Sequence, residues 1–300
     1  MTSAARRIDG MIGRRRFPAI MFMVGAGAFV AATSVVAKAL SLEGGDAAGL
    51  SPFQISAGRF AFALVALVLV LKAFPNARPA FSGVHWNWHL FRSLSGWLGV
   101  TCMFAAVAHM PIAEATAISF LSPLVAMALA ALLLGEAIGT RKMLAAGLAI
   151  LGAMLILRPG TDAFQLAGLW ALSAAMFMGI ETIFIKKLSD AEPALRILVI
   201  NNAIGAAIAI AAASFVWVWP SVLQWLLLMA LGTIMVSGQA LFIQSMKRGE
   251  ASLVMPAFYT LLVFAAVYDF IFNQVIPVPA AIIGAALIVS GAMILAANHK

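Results

Sequence analysis

"GWLGVTCMFAAVAHMPIAEA", residues 96–115, and "GTIMVSGQALFIQSMKRGEA", residues 232–251, lie over one another without a gap. Gly96 meets Gly232, Val100 meets Val236, Met110 meets Met246, Glu114 meets Glu250 and Ala115 meets Ala251, with Thr101 opposite Ser237. Each stretch is an apolar run, a short break, and then a carboxylate at the head of a second apolar run. Two weaker echoes keep the same order: "AKALS" (37–41) against "IKKLS" (185–189), and "LGAM" (151–154) against "SGAM" (290–293). The chain therefore reads as two copies of one unit, 18–160 and 161–300, behind a basic tail at 1–17.

Composition identifies the solvent of that unit. The chain is 64% hydrophobic and 10% charged, where a soluble domain is about half apolar and about a quarter charged. It is an integral membrane protein whose first partner is the lipid bilayer. The net charge of +8 does not mark nucleic acid, because the basic residues fall in short clusters between apolar runs rather than on one soluble patch. The single cysteine, Cys102, sits among Val100, Met103 and Phe104 and reads as a buried, inert thiol.

A hydrocarbon core about 30 Å thick needs about 20 apolar helical residues. Ten such runs are present, near 18–40, 52–73, 88–108, 112–134, 142–158, 165–185, 194–216, 225–245, 251–272 and 279–297. The fold class is all-α: ten transmembrane helices in two five-helix repeats. The first run follows Arg14, Arg15 and Arg16 as a signal peptide would, but it exceeds a signal's 7 to 15 apolar residues and reads as a mature helix.

Lysine and arginine collect on the cytoplasmic side of a membrane. With the N-terminus inside, all of the 19 basic residues except Lys38, Arg59 and Arg158 fall in cytoplasmic loops or helix ends. Both termini are thus expected in the cytoplasm. Because five is odd, the second repeat enters from the opposite side. Uncharged "HMPI" (109–112) accordingly faces outward and its mate "MKRG" (246–249) inward. That is the inverted repeat of many secondary transporters. Glu114 and Glu250 then stand in the first turns of helices, where a carboxylate meets free N–H groups and the positive end of the helix dipole.

Several motifs resemble those of a known family: "GRF" (58–60), "MPIAEATAISFLSPL" (110–124), "LLLGE" (132–136) and "LRPG" (157–160). With the five-plus-five pattern they are similar to the EamA-type, ten-helix branch of the drug/metabolite transporter superfamily, over essentially the whole chain. The second half carries "FNQ" (272–274) where that family often repeats its LGE. The resemblance implies a multi-pass carrier of the bacterial inner membrane, moving an amino acid or related amphiphilic metabolite, or a cofactor-like one of the adenosylmethionine or riboflavin type.

The residues that would do the work are ionisable or polar groups inside spans. Arg59 is the deepest charge, with Asp269 also in the outer half and Glu181 in the inner half. Arg59 either pairs with Asp269 as a structural or gating pair, binds an anionic group on the substrate, or snorkels outward. Glu181 and Asp269 are the in-span acids available for coupling or gating. Trp97, Thr101 and Phe104 share a face of helix 3, and Thr233, Ser237 and Gln244 a face of helix 8. Ser119, Phe120 and Ser122 beside Pro123, and Tyr259 and Thr260 after Pro256, mark two places where a proline frees a backbone carbonyl. The same residues serve equally as helix packing, with Ser95, Gly96 and Gly99 as close-approach positions.

Other classes fit less well. The four histidines lie at membrane edges, with no His-Glu-x-x-His, no Gly-x-Ser-x-Gly and no Gly-x-x-x-x-Gly-Lys-Ser/Thr, so neither an intramembrane enzyme, a metal or cofactor site, nor an ATP-driven pump is expected. A membrane receptor or assembly protein would have no evident use for an inverted repeat. The expectation is a secondary transporter, monomer or homodimer, taking a small-molecule substrate by alternating access.

Overall fold

The computed structural model describes residues 3–42, 49–122, 124–126, 128–129, 140–157, 166–248 and 257–296, and among them the regular elements are helices. In chain order they are α1 (Ser3–Ser41), α2 (Pro52–Ala73), α3 (Trp86–His109), α4 (Ile112–Ser119), α5 (Thr140–Leu157), α6 (Gly168–Ala191), α7 (Ala194–Ala213), α8 (Val222–Arg248), α9 (Thr260–Asn273) and α10 (Pro279–Ala296). Six hold stretches long and apolar enough to cross a membrane: Pro18–Ser41, Pro52–Ala73, Trp86–His109, Gly168–Ile185, Ala194–Val216 and Val222–Phe242. Shorter apolar helices occupy the other four expected positions. Glu250, Pro123, Pro256, "LLLGE" and the boundary near residue 160 lie outside the described residues.

Two local differences from the sequence reading have backbone causes. The helix α1 starts at Ser3 and runs through the expected tail with Pro18 inside it. The tail's alanines and arginines are good helix formers, which explains the continuation. The expected span 112–134 is interrupted: α4 ends at Ser119, Phe120 N–H bonds to the carbonyls of Thr116 and Ala117, and Leu121 N–H to Ile118 O at 3.0 Å, before helix resumes at Ser122. Pro123 offers no N–H to the Ser119 carbonyl, so the ladder lacks that bond at the break. A second turn falls at Tyr259, where Leu262 N–H bonds to Tyr259 O at 3.1 Å.

The packing is shared between the two halves of the chain. α1 packs on α8 and α9; α6 packs on α3 and α4. α2 packs on α8, and α7 on α3, while α2 with α7, α4 with α9 and α5 with α10 pack on one another. Raising each label in the first half by five, and lowering each in the second, turns this set of pairs into itself. The α5–α10 contact is backbone against backbone: a Cβ on Gly152 would stand 2.4 Å from Gly284 O, and one on Gly284 2.6 Å from Gly152 O. Small residues of this kind let membrane helices close up where the hydrophobic effect offers no drive.

Candidate functional site

At the start of α2, Ser51 Oγ accepts the Gln54 N–H at 3.3 Å, with Pro52 at the first helical position. Two turns further in, α2 meets α3 and α7. Trp97 of α3 is 8% exposed, donates its indole N–H to Ser56 Oγ at 3.2 Å, and faces the Phe53 ring at 6.1 Å. It packs in one cluster with Ala57 and Phe60 of α2 and Ala206, Ala209 and Ala213 of α7.

Beside this cluster lie two buried cations and one partly exposed acid. Arg59 is 4% exposed, and its guanidinium carbon lies 4.2 Å from the Phe60 ring centroid. The opposite charge acting on it most strongly is Glu181 of α6, and the like charge is Arg92 of α3. Arg92 is 6% exposed and stands 3.7 Å from Glu181 Oε1. Gly96, one turn above Arg92, makes the room: a Cβ there would sit 2.8 Å from Glu181 Oε1.

The polar groups along this seam are incompletely bonded. Arg59 Nη1, Arg92 Nε and Nη1, Ser93 Oγ and Thr101 Oγ1 are buried without a hydrogen-bond partner, as are Asn201 Oδ1 on α7 and Gln239 Oε1 on α8. Buried polar groups are ordinarily paired, with protein or with ordered water. Ser93, Trp97 and Thr101 follow one another at four-residue spacing, so two unbonded hydroxyls flank the indole on one face of α3. A run of such atoms is what a water- or ligand-filled space would satisfy.

The two helix breaks meet nearby. Phe120 and Tyr259 touch edge to face, with centroids 5.2 Å apart. Gly179 of α6 lies against the resumed helix, where a Cβ would come within 2.8 Å of Ser122 O. Two residues along α6 stands Glu181, so α6 joins the α4 break to the charge cluster.

Other anticipated residues have different surroundings. Phe104 is 4% exposed within the main apolar core. Ser119 and Thr260 each return their hydroxyl to a carbonyl three residues back, Thr116 and Ala257, at 2.7 Å. On α8, Ser237 donates to Thr233 O at 2.8 Å, and Gln244 is exposed and bonded to Arg248. That stripe turns away from the packed interior, and the buried polar residues of α8 are Gln224 and Ser245.

The Arg59–Asp269 pair needs correction. Asp269 of α9 is fully buried and stands 3.7 Å from Lys38 Nζ at the end of α1. Its Oδ2 accepts the Ala113 N–H at 2.9 Å, capping α4, and its Oδ1 accepts from Asn273 at 3.0 Å. Lys38 also donates to Met110 O at 3.2 Å. An α9 carboxylate thus closes the α3–α4 turn, and its ion-pair partner is Lys38 rather than Arg59. Glu114, 6% exposed, does occupy the first turn of α4.

One further cluster ties the α2–α3 loop to the α6–α7 turn. Glu192 accepts from the His85 N–H at 2.9 Å and meets the His85 and His89 rings at 3.1 and 3.0 Å, with Arg196 at 3.7 Å. Burial pushes the Glu192 carboxyl up, but the hydrogen bonds from the His85 backbone and the two rings, with the His89 charge, outweigh it and hold the carboxyl down to about 2.

Apolar helices exchanging partners between two halves of the chain, with ionic groups buried where they meet, define a multi-pass membrane protein. The chain belongs to the EamA-like transporter family, whose model matches residues 17–158 and again 165–297; it is a small-metabolite transporter of the drug/metabolite transporter superfamily. It is 28% identical to the pseudopaline exporter CntI of Pseudomonas aeruginosa, over 70% of this chain and 75% of that one. It is 28% identical to the riboflavin transporter of Vibrio cholerae over 79% and 78%, and 26% identical to the S-adenosylmethionine uptake transporter of Rickettsia prowazekii over 84% and 85%. A solved crystal structure at 20% identity superposes with a TM-score of 0.58 over 95% of this chain and 96% of the other, which shows a shared fold.

Proposed function

We propose that the protein is a secondary transporter whose two halves are inverted five-helix repeats, both termini being cytoplasmic, and that it moves a small organic metabolite by alternating access. The double family match and the five-step exchange of helix contacts support the repeat. The basic loops support its orientation. The observation that carries the functional reading is the row of buried, unbonded polar atoms at Arg59, Arg92, Ser93 and Thr101, beside Trp97, at the α2–α3–α7 seam. The helix breaks at Phe120 and Tyr259 supply the discontinuity that transporter sites employ. Trp97, Phe120 and Tyr259 offer apolar faces to a planar or amphiphilic substrate, and Arg59 and Thr101 polar ones. The relatives named for pseudopaline, riboflavin and S-adenosylmethionine support an organic substrate of metabolite size.

Rocking of one half against the other would expose the seam alternately to either side. The Lys38–Asp269 tie at α1, α4 and α9 and the Glu192–histidine tie at the α6–α7 turn are the polar contacts such a motion would strain. Uptake of a labelled metabolite panel into proteoliposomes of the purified protein tests the reading. Saturable movement of at least one compound is expected; no movement of any by folded protein would refute it.

A further inference from the structure

A groove open to one side runs where α1 meets α8. Pro18, Met21, Phe22 and Gly25 stand at i, i+3, i+4 and i+7 and so share one face of α1, over about 10 Å of helix. With Leu241 of α8 they line an apolar space of about 380 Å³. Gly25 keeps it clear: a Cβ there would already stand 3.3 Å from Leu241 Cδ1. One turn along α8 from Leu241, Ser245 donates its buried hydroxyl to Ala19 O at 2.6 Å, which fixes the two helices together beside the groove. The apolar span of α1 begins at Pro18 and that of α8 ends at Phe242, so the groove lies at a membrane edge that both helices share.

A cation marks the mouth of this groove. Arg248 is exposed, and its guanidinium carbon lies 4.7 Å from the ring centroid of Phe22, one of the groove's walls. Its Nη1 donates to the Gln244 carbonyl at 3.2 Å and to the Gln244 side chain, which holds the guanidinium over the ring. Arg14, Arg15 and Arg16 precede Pro18, and Lys247 precedes Arg248, so five basic residues flank the two span ends. Clusters of this kind beside membrane helices attract anionic lipid. We propose that the groove seats an acyl chain of one anionic phospholipid and that Arg248 holds its phosphate. The apolar wall alone does not select, because the surrounding lipid tails are as apolar as the side chains. The guanidinium at its mouth does select, since its fork matches two phosphate oxygens at once. A free phosphate leaves the apolar groove unused, and a zwitterionic lipid brings a second cation beside Arg248. α1 belongs to the first half of the chain and α8 to the second, so the lipid touches both halves at a site apart from the α2–α3–α7 seam. The orientation proposed above puts this site in the cytoplasmic leaflet; lipid binding in detergent is independent of that orientation.

Dioleoyl phosphatidylglycerol and dioleoyl phosphatidylcholine share their chains and differ in headgroup charge. Native mass spectrometry of the purified full chain, titrated with each lipid at fixed ionic strength, gives their affinities, and thermal unfolding in detergent gives a second readout. Phosphatidylglycerol should bind at least about fivefold tighter than phosphatidylcholine, the effect of one basic residue at an anionic surface. Arg248→Gln should weaken phosphatidylglycerol by about fivefold and phosphatidylcholine by less than about twofold. Arg78→Gln, which removes an exposed arginine of the α2–α3 loop, should change neither. Gly25→Leu should displace both lipids; if it fails to fold, Met21→Trp fills the groove from a half-exposed position and decides instead. Glycerol 3-phosphate, a headgroup without chains, should not raise the melting temperature. Equal affinity for the two lipids, a loss in Arg248→Gln no greater than in Arg78→Gln, or a filled groove that still retains phosphatidylglycerol overturns the proposal. Stabilisation by glycerol 3-phosphate equal to that by the lipid identifies a phosphate site without the groove and overturns it as well.

Discussion

Removing Asp269 should cost the protein more than removing any other single acid described here. Its carboxylate caps α4 through Ala113 N–H at 2.9 Å, holds Asn273 at 3.0 Å and faces Lys38 at 3.7 Å. A charge-assisted hydrogen bond is worth about 1.5–3 kcal/mol. The ion pair adds about 4 kcal/mol of gross attraction at an effective dielectric of 20, before desolvation is subtracted. Asp269→Ala removes both and leaves the Lys38 ammonium, 14% exposed, with only the Met110 carbonyl. The terms share one carboxylate and do not add, so the expected destabilisation is about 3–5 kcal/mol, that of a broken buried pair. Asp269→Asn keeps an acceptor for Ala113 and should cost about half as much. Thermal melts of Asp269→Ala, Lys38→Met and the double variant in detergent give the coupling, expected at about 1–3 kcal/mol. Coupling below about 0.5 kcal/mol, or strong coupling of Asp269→Ala to Arg59→Ala instead, would refute the pairing.

Gly152→Val should separate α5 from α10, because its Cβ would sit 2.4 Å from a backbone oxygen that cannot swing aside; a melting temperature equal to wild type would contradict this. The Glu192 carboxyl, held down to about 2, contributes stability that is fully present above the ordinary carboxylate range near 4.3 and is lost as pH falls through about 2. Glu192→Gln should therefore flatten that acid limb in melts between pH 5 and pH 2, and an unchanged limb would count against it. In a Cys102→Ala background, a cysteine at Arg248 should react with impermeant maleimide only from the cytoplasm and one at Asn273 only from outside; labelling of both from one side would remove the inverted topology.

The helices were legible because a membrane demands long apolar runs, and an apolar helix stands at each of the ten expected positions, six of them long enough to cross; the α4 break was not read, because apolar content marks a run without showing where its backbone turns. The partners of charges were less so. Arg92 reads in sequence as one more cytoplasmic basic residue, yet it is buried against Glu181; the signal available was Gly96 four residues on, which clears space for that carboxylate. Lys38 and Asp269 were both assigned to the outer half, and their mutual attraction was readable there. Depth along two helices does not say which helices touch, however, and α1 packs on α9 through contacts far apart in sequence. The α8 stripe of Thr233, Ser237 and Gln244 failed for a related reason: helical spacing defines a face without saying where that face points. The bond between Glu192 and the two histidines joins loops whose meeting no periodicity encodes.

The central claim is that the seam at Thr101 opens in turn to both sides of the membrane. Thr101→Cys in a Cys102→Ala background, labelled by impermeant maleimide in right-side-out and inside-out vesicles, tests it directly. Thr101 is 7% exposed and its hydroxyl is unbonded. The account predicts labelling from both sides, slowed from each by a transported substrate. Labelling from one side only, or from neither in protein that still transports, would contradict it.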